Sequence, residues 1–249
     1  MANPVLNETI FRREAAASYN GVMTVKGTMT KALLLLILVG AAGAYTWKLF
    51  YEAVNPATAV TWMWGGLIVG LVSALIITFK PKVSPYLAPV YAAAEGMVLG
   101  VISAVYNSAF AETAPNIVIN AVLLTLLCAF IMLTVYRSGI IKVNGTFMRV
   151  LSVSLITITV YYIGSMLLSM FGVDMSILHG SSPLSIGISI LIVGVAAFSL
   201  LADYKFIEDA SAAGAPKQME WYGAFGLMVT LVWLYLEILK LLGKLNSRD

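Results

Sequence analysis

Apolar residues gather in seven long runs separated by short polar breaks. The runs cover about Ala32–Phe50, Ala59–Phe79, Leu87–Tyr106, Ile117–Tyr136, Phe147–Phe171, Leu184–Ala202 and Trp221–Leu242. A helix needs about 20 apolar residues to cross a bilayer, so each run predicts one transmembrane helix. The breaks hold turn formers, among them Asn55-Pro56, Pro81 and Pro85, Asn144-Gly145, Ser182-Pro183 and Gly214-Ala215-Pro216. None is long enough to separate two domains. The pattern predicts an all-α polytopic membrane protein, a bundle of seven transmembrane helices. A polar segment over residues 1–31 precedes the bundle at 32–243, and a short basic tail follows at 244–249.

Composition agrees. Of 249 residues, 60% are hydrophobic and 11% charged, and the mean hydropathy is +0.92. A soluble domain is nearer half apolar and a quarter charged. So few charges could not cover so much apolar surface in water; the lipid bilayer is the partner that resolves this. The net charge of +3 is spread between the runs. With no basic patch to gather phosphates, nucleic acid is not expected as a partner. The single cysteine, Cys128, cannot form an internal disulfide, and within an apolar run it reads as a structural thiol. The first 31 residues carry Glu8 and Glu14 and lack the pattern of a cleavable signal.

Basic residues suggest an orientation. Arg12, Arg13, Lys26, Lys31, Lys80, Lys82, Arg137, Lys142, Arg149, Lys205 and Lys217 would share the side of the N-terminus. The opposite side would hold Lys48 and the tail residues Lys240, Lys244 and Arg248. The N-terminus therefore reads as cytoplasmic. The basic tail fits less well; either the last segment re-enters, or a full span brings Lys240 and Lys244 to the far interface. The full span is favoured.

Charge within a span costs a few kcal/mol at the bilayer centre, so each such residue needs a reason. Glu95 lies in the third run, at the edge of a face formed by Ala92, Gly96, Gly100, Ser103 and Asn107. Small residues there invite a close helix neighbour. Glu95 reads either as a proton or cation ligand or as a hydrogen-bonded glutamate that packs helices. Asp203 closes the sixth run, on a stripe with Ser185, Ser189, Ala196 and Ser199; it is either functional or a solvated helix end. Glu208 and Asp209 are expected as surface charges in the loop that follows. Glu237 lies in the last run, on a stripe with Gly223, Gly226, Thr230, Trp233 and Lys240. It is either functional or locally paired with Lys240, three residues on.

Ser154, Tyr161 and Ser165 share one side of the fifth run and read as packing hydroxyls. His179, the only histidine, makes a poor metal site by itself. Trp47, Trp62, Trp64 and Trp221 fall near span ends, where indoles anchor at the interface. Enzyme signatures are lacking. The sequence holds no phosphate-cradling Gly-rich loop with its lysine and no nucleophile elbow. No enzymatic activity and no cofactor are expected.

Four segments carry a resemblance to a known family: Met23–Thr28; Tyr86–Gly96 with the following Gly100; Phe198–Tyr204; and Glu220–Gly226 through Leu234–Glu237. In these the chain resembles the Bax inhibitor-1 family, also called the transmembrane Bax inhibitor motif family. It looks most like the prokaryotic YccA-like branch, which implies a bacterial cytoplasmic membrane. The resemblance implies seven helices with the last surrounded by the other six. It also implies a pH-sensitive calcium leak channel, gated by an acidic residue at the end of the sixth helix and another in the seventh. Asp203 matches the first position. Glu237 matches the second, where the family's usual residue is aspartate. The spacing between them is longer than the family pattern by roughly two turns. With Asp203 at its helix end and a regular last helix, the two would stand roughly 20 Å apart.

Two adjacent carboxyls in low dielectric cannot both ionise cheaply, so such a pair holds a proton. Deprotonated, it can offer oxygens to a hard cation such as Ca²⁺. The first functional expectation is thus a pH-gated Ca²⁺ leak pathway, with Asp203 and Glu237 as sensor and Glu95 on the ion path. Ca²⁺ and protons would be its small partners. The second is a membrane-embedded regulator without conduction, since YccA-like relatives are associated with a membrane-bound AAA protease. The polar segment Met1–Lys31 would then be the contact. A secondary transporter is less favoured, because no paired broken helices or inverted repeat is visible.

Overall fold

The computed structural model describes residues 21–52, 57–171 and 180–247. Within them are seven long helices: α1 (Val25–Glu52), α2 (Ala57–Phe79), α3 (Ser84–Ala109), α4 (Ile117–Ser138), α5 (Gly145–Met170), α6 (Pro183–Ala212) and α7 (Met219–Asn246). A short 3₁₀ turn, Pro81–Val83, leads into α3. Among the described residues the only β-type pairing is an isolated bridge between Val22 and Pro216. All seven helices are long and apolar enough to cross a membrane. Their outward faces are apolar too, with Ile68, Leu71, Leu123, Phe130, Ile156 and Leu191 largely exposed. Such faces are stable only against lipid, and the chain is an all-α polytopic membrane protein.

The helices outrun the apolar stretches that predict them. α1 begins at Val25 rather than Ala32, because Thr24 caps it: the Gly27 amide donates to the Thr24 hydroxyl at 3.0 Å. Asn144 caps α5 in the same way, accepting from the Phe147 amide at 2.9 Å. α6 does not end at Asp203. It continues to Ala212, since no glycine or proline intervenes before Gly214. Glu208 and Asp209, expected in a loop, are therefore helical; Lys205 pairs with Asp209 one turn on, and Glu208 is exposed as expected. α7 runs unbroken through Lys240 and Lys244, so Lys244 belongs to the helix and not to a tail. No break supports a re-entrant last segment. α7 is also the most buried of the seven spans.

The chain divides into two compact units. One contains the described residues of 21–109 and 205–229, the other those of 110–204 and 230–247. In the first, α3 is flanked by α1 and α2. The approach of α1 is close: a Cβ on Gly100 would collide with the Gly43 carbonyl and the Thr46 hydroxyl. One on Gly96 would collide with the Val39 carbonyl. The Thr46 hydroxyl donates to the Met97 carbonyl at 3.0 Å across the same seam. This is the small-residue packing that the Gly96/Gly100 spacing predicts. In the second unit, Leu151 and Ala202 centre an apolar cluster with Phe147, Met148, Leu155 and Val195. There Tyr204 donates to the Ala129 carbonyl at 3.2 Å, tying α6 to α4.

Gly100→Val should lower the melting temperature in detergent, with a cost of about 2 kcal/mol from overpacking a backbone-to-backbone contact. An unchanged melting temperature would mean that α1 does not approach α3 this closely.

Candidate functional site

Asp203, Glu237 and Glu95 are all withdrawn from the surface, but to different degrees. Asp203 is fully buried and Glu237 is 2% exposed; Glu95 is half-buried. Asp203 and Glu237 share one unit, and Glu95 lies in the other.

Glu237 has the most defined surroundings. It sits about two-thirds of the way along α7, and two helices supply its partners. The Tyr162 hydroxyl, from α5, donates to both carboxylate oxygens at 3.0 Å each. Lys240, three residues on, places its ammonium 3.1 Å from Oε1. The same ammonium lies 5.0 Å above the Tyr162 ring, so one cation serves both the carboxylate and the π face. One turn further, the Lys244 ammonium donates to the Ser189 hydroxyl at 2.8 Å. It also reaches the Ser185 carbonyl of α6 at 3.5 Å. The local ion pair is therefore present, but it is only part of a three-helix polar cluster.

Asp203 is not the direct partner of that carboxylate. Lys244 opposite Ser189 fixes the antiparallel register of α6 and α7 here. Fourteen residues along α6 from Ser189, Asp203 stands level with about Thr230, fourteen residues back along α7 from Lys244. Seven residues then separate Thr230 from Glu237, or about 10 Å at 1.5 Å per residue. The gap is half that expected from sequence, because α6 continues past Asp203 and carries it away from the helix end. It is still too wide for a shared hydrogen bond. Ca²⁺ takes six to eight oxygen ligands, and no group of three or more His, Cys, Asp or Glu side chains occurs among the described residues.

In the other unit Glu95 accepts a hydrogen bond from Tyr91, four residues earlier on α3. The Tyr91 ring meets Phe225 edge-on at 4.9 Å. Glu95 also faces Gly70 of α2, where a Cβ would come within 3.7 Å of its carboxylate. It borders a helix seam, as the small-residue face predicts.

Sequence reasoning missed a fourth carboxylate. Glu220, in the first turn of α7, is fully buried. It accepts from the Thr24 amide at 3.0 Å and the Thr24 hydroxyl at 2.9 Å. Lys31 of α1 forms an ion pair with it, and Lys217 stands 3.4 Å away. Gly27 makes room, since a Cβ there would overlap the carboxylate. The anion thus lies against the N-terminus of α1, where the helix dipole favours it. Backbone bonds complete the clasp. The Met23 amide donates to the Ala215 carbonyl at 2.7 Å and the Lys217 amide to Gly21 at 3.0 Å. Lys31 was readable only as an orientation charge and Glu220 only as a motif letter, because their pairing spans most of the chain. Tyr162 was missed in favour of its neighbour Tyr161.

Other candidates resolve simply. Ser154 and Ser165 bond back to carbonyls of their own helix, consistent with packing. Trp62 and Trp64 are exposed near the start of α2, as interfacial indoles would be. Trp221 instead lies beneath the Lys31 ammonium at 5.6 Å. His179 and Asp174, and the part of the proposed partner segment up to residue 20, lie outside the described residues.

Glu220→Leu should lower stability by about 3 kcal/mol, because it leaves the Lys31 ammonium without its counter-ion; Lys31→Met should cost less, because Lys217 stays 3.4 Å from the carboxylate. The double variant should cost clearly less than the sum. Strict additivity in detergent melting curves would show that the pair is not coupled.

A search of curated proteins and one of solved structures each returned no match. A family model described as Bax inhibitor 1 like matches residues 3–247. That span takes in all seven helices and each of the four carboxylates, and the chain belongs to this family.

Proposed function

We propose that the protein is a pH-sensitive leak pathway for cations, Ca²⁺ among them, in which membrane-embedded carboxylates set the flux. The observation that carries this reading is Glu237, an acid 2% exposed inside a membrane helix and held by a phenol and an ammonium. An ionised carboxylate at that depth is costly unless compensated, and such residues commonly mark ion or proton pathways. Family membership supports the same reading.

Proton uptake acts on this cluster directly. An ionised Glu237 pairs with the Lys240 ammonium and accepts from the Tyr162 hydroxyl on both oxygens. A protonated one keeps neither the ion pair nor the symmetric acceptor. Its attraction for a passing cation disappears at the same time. Acidification then lowers flux, and deprotonation raises it. Asp203 acts as a second, separate titrating group about two turns away, not as half of a shared-proton pair. Glu95 contributes a third carboxylate, bordering the seam of α2 and α3. Conduction through a transient set of oxygens needs no fixed cage, since a permeant ion must also leave. The N-terminal side is taken as cytoplasmic from the distribution of Lys and Arg.

Ca²⁺ entry into proteoliposomes, followed with a trapped indicator across an acid-to-neutral pH series, tests this. Wild-type flux should fall on acidification. Glu237→Gln should sit near the acid level at every pH, roughly tenfold below the neutral wild type, the scale at which one close charge shifts an ionic equilibrium. Asp203→Asn should narrow the pH response without abolishing it. Flux no greater than in protein-free vesicles, or an intact pH response in both variants, removes the reading. A non-conducting regulator that docks on a membrane protease would give the first of those results.

A further inference from the structure

We infer that Lys240 is a tethered cation that occupies the cation position on Glu237 and so limits access of external cations to it. The inference rests on the reading of Glu237 as part of an ion path, and it names what regulates that site.

The geometry is specific. A carboxylate beside a pathway would ordinarily meet a diffusible cation on its exposed edge. Here that edge is covered by the Lys240 ammonium at 3.1 Å. The other groups around the carboxylate leave little alternative. Tyr162 from α5 donates to both oxygens. Lys244 is engaged by Ser189 and Ser185 of α6. Lys240 is the least tightly tied of these groups: leaving the carboxylate breaks only the ion pair with its own helix neighbour and the contact with the Tyr162 ring of α5. Its side chain is 43% exposed, on a four-carbon stem that reaches outward. Glu237, by contrast, cannot follow it to the surface. The ammonium can therefore swing between the carboxylate and the outside, while the carboxylate stays. That is the arrangement of an intramolecular competitor, whose effective concentration at the site is high because it is covalently attached.

Terbium, a hard oxygen-seeking ion, is a suitable probe because tyrosine sensitises its luminescence and Tyr162 is 3.0 Å from the carboxylate. Titrations on purified full-length protein in detergent should show Lys240→Met binding Tb³⁺ at least about tenfold more tightly than wild type, the effect of removing one close like charge. The gain should vanish in Glu237→Gln/Lys240→Met. Tyr162→Phe in the Lys240→Met background should dim the bound signal. Lys240→Arg, which keeps the charge, should bind as weakly as wild type, and Lys244→Met should gain less than Lys240→Met. Should Lys240→Met fail to yield folded protein, Lys240→Gln carries the same expectation, its amide still able to bond Glu237. No gain in a folded neutral variant, or a gain that survives loss of Glu237, overturns the inference. Ca²⁺ flux measured in parallel separates the two claims. Tighter binding without flux at any pH sinks the leak pathway and leaves the tethered cation standing; flux without tighter binding does the reverse.

Discussion

A carboxylate that enters a lipid-embedded helix must bring its compensation with it, and that requirement organises the polar interior of this protein. Water is not at hand to solvate the charge, and lipid offers no donors. Two of the buried acids are matched with donors that include groups from elements distant in sequence. Glu237 takes a phenol from α5 and an ammonium from its own helix. Glu220 takes an ammonium, a hydroxyl and an amide from the start of α1. The polar contacts in turn fix helix positions that apolar packing leaves loose, since lipid tails compete with side chains for the same dispersion contacts.

The two lysine-paired acids solve the problem differently, and the difference bears on function. At Glu220 the carboxylate is saturated. Thr24 supplies two donors, Lys31 a charge, and Gly27 a fitted space. The backbone of residues 21–23 is bonded to residues 215–217 beside it. An acid so enclosed is a structural clasp. Glu237 is held by fewer groups, and one of them is half-exposed. Equal burial of two carboxylates therefore does not imply equal roles. What separates them is what stays behind when an exposed lysine swings away: Thr24 and Lys31 at Glu220, Tyr162 at Glu237.

Much of the fold was legible because its driving force is local in sequence. Seven apolar runs of membrane-spanning length specify seven helices before any contact is known. The helix ends were less legible, for a reason visible at Asp203. Hydropathy reports where lipid begins and ends, whereas helicity can continue through polar residues beyond that edge. α6 therefore runs on to Ala212, and the aspartate becomes an interior residue. The Gly96/Gly100 seam was readable because small residues at that spacing have one physical use in a span. The four-residue spacing did not say which helix fills it; α1 does, through Gly43 and Thr46.

The candidate site was legible in its acids and not in their partners. An acidic residue in an apolar run announces itself by cost alone, which is why Asp203, Glu237 and Glu95 stood out. A tyrosine or a serine costs little there, so Tyr162 gave no signal distinguishing it from Tyr161 on the next position. Helical geometry alone separates them: 100° of rotation decides which hydroxyl reaches α7, and the angle of α5 to α7 cannot be read from α5. The same limit applies to the expected Asp203–Glu237 pair. Their matching depends on the register of two antiparallel helices, which Lys244 and Ser189 fix from the far end. With that register the two acids stand about two turns apart along the helix axis.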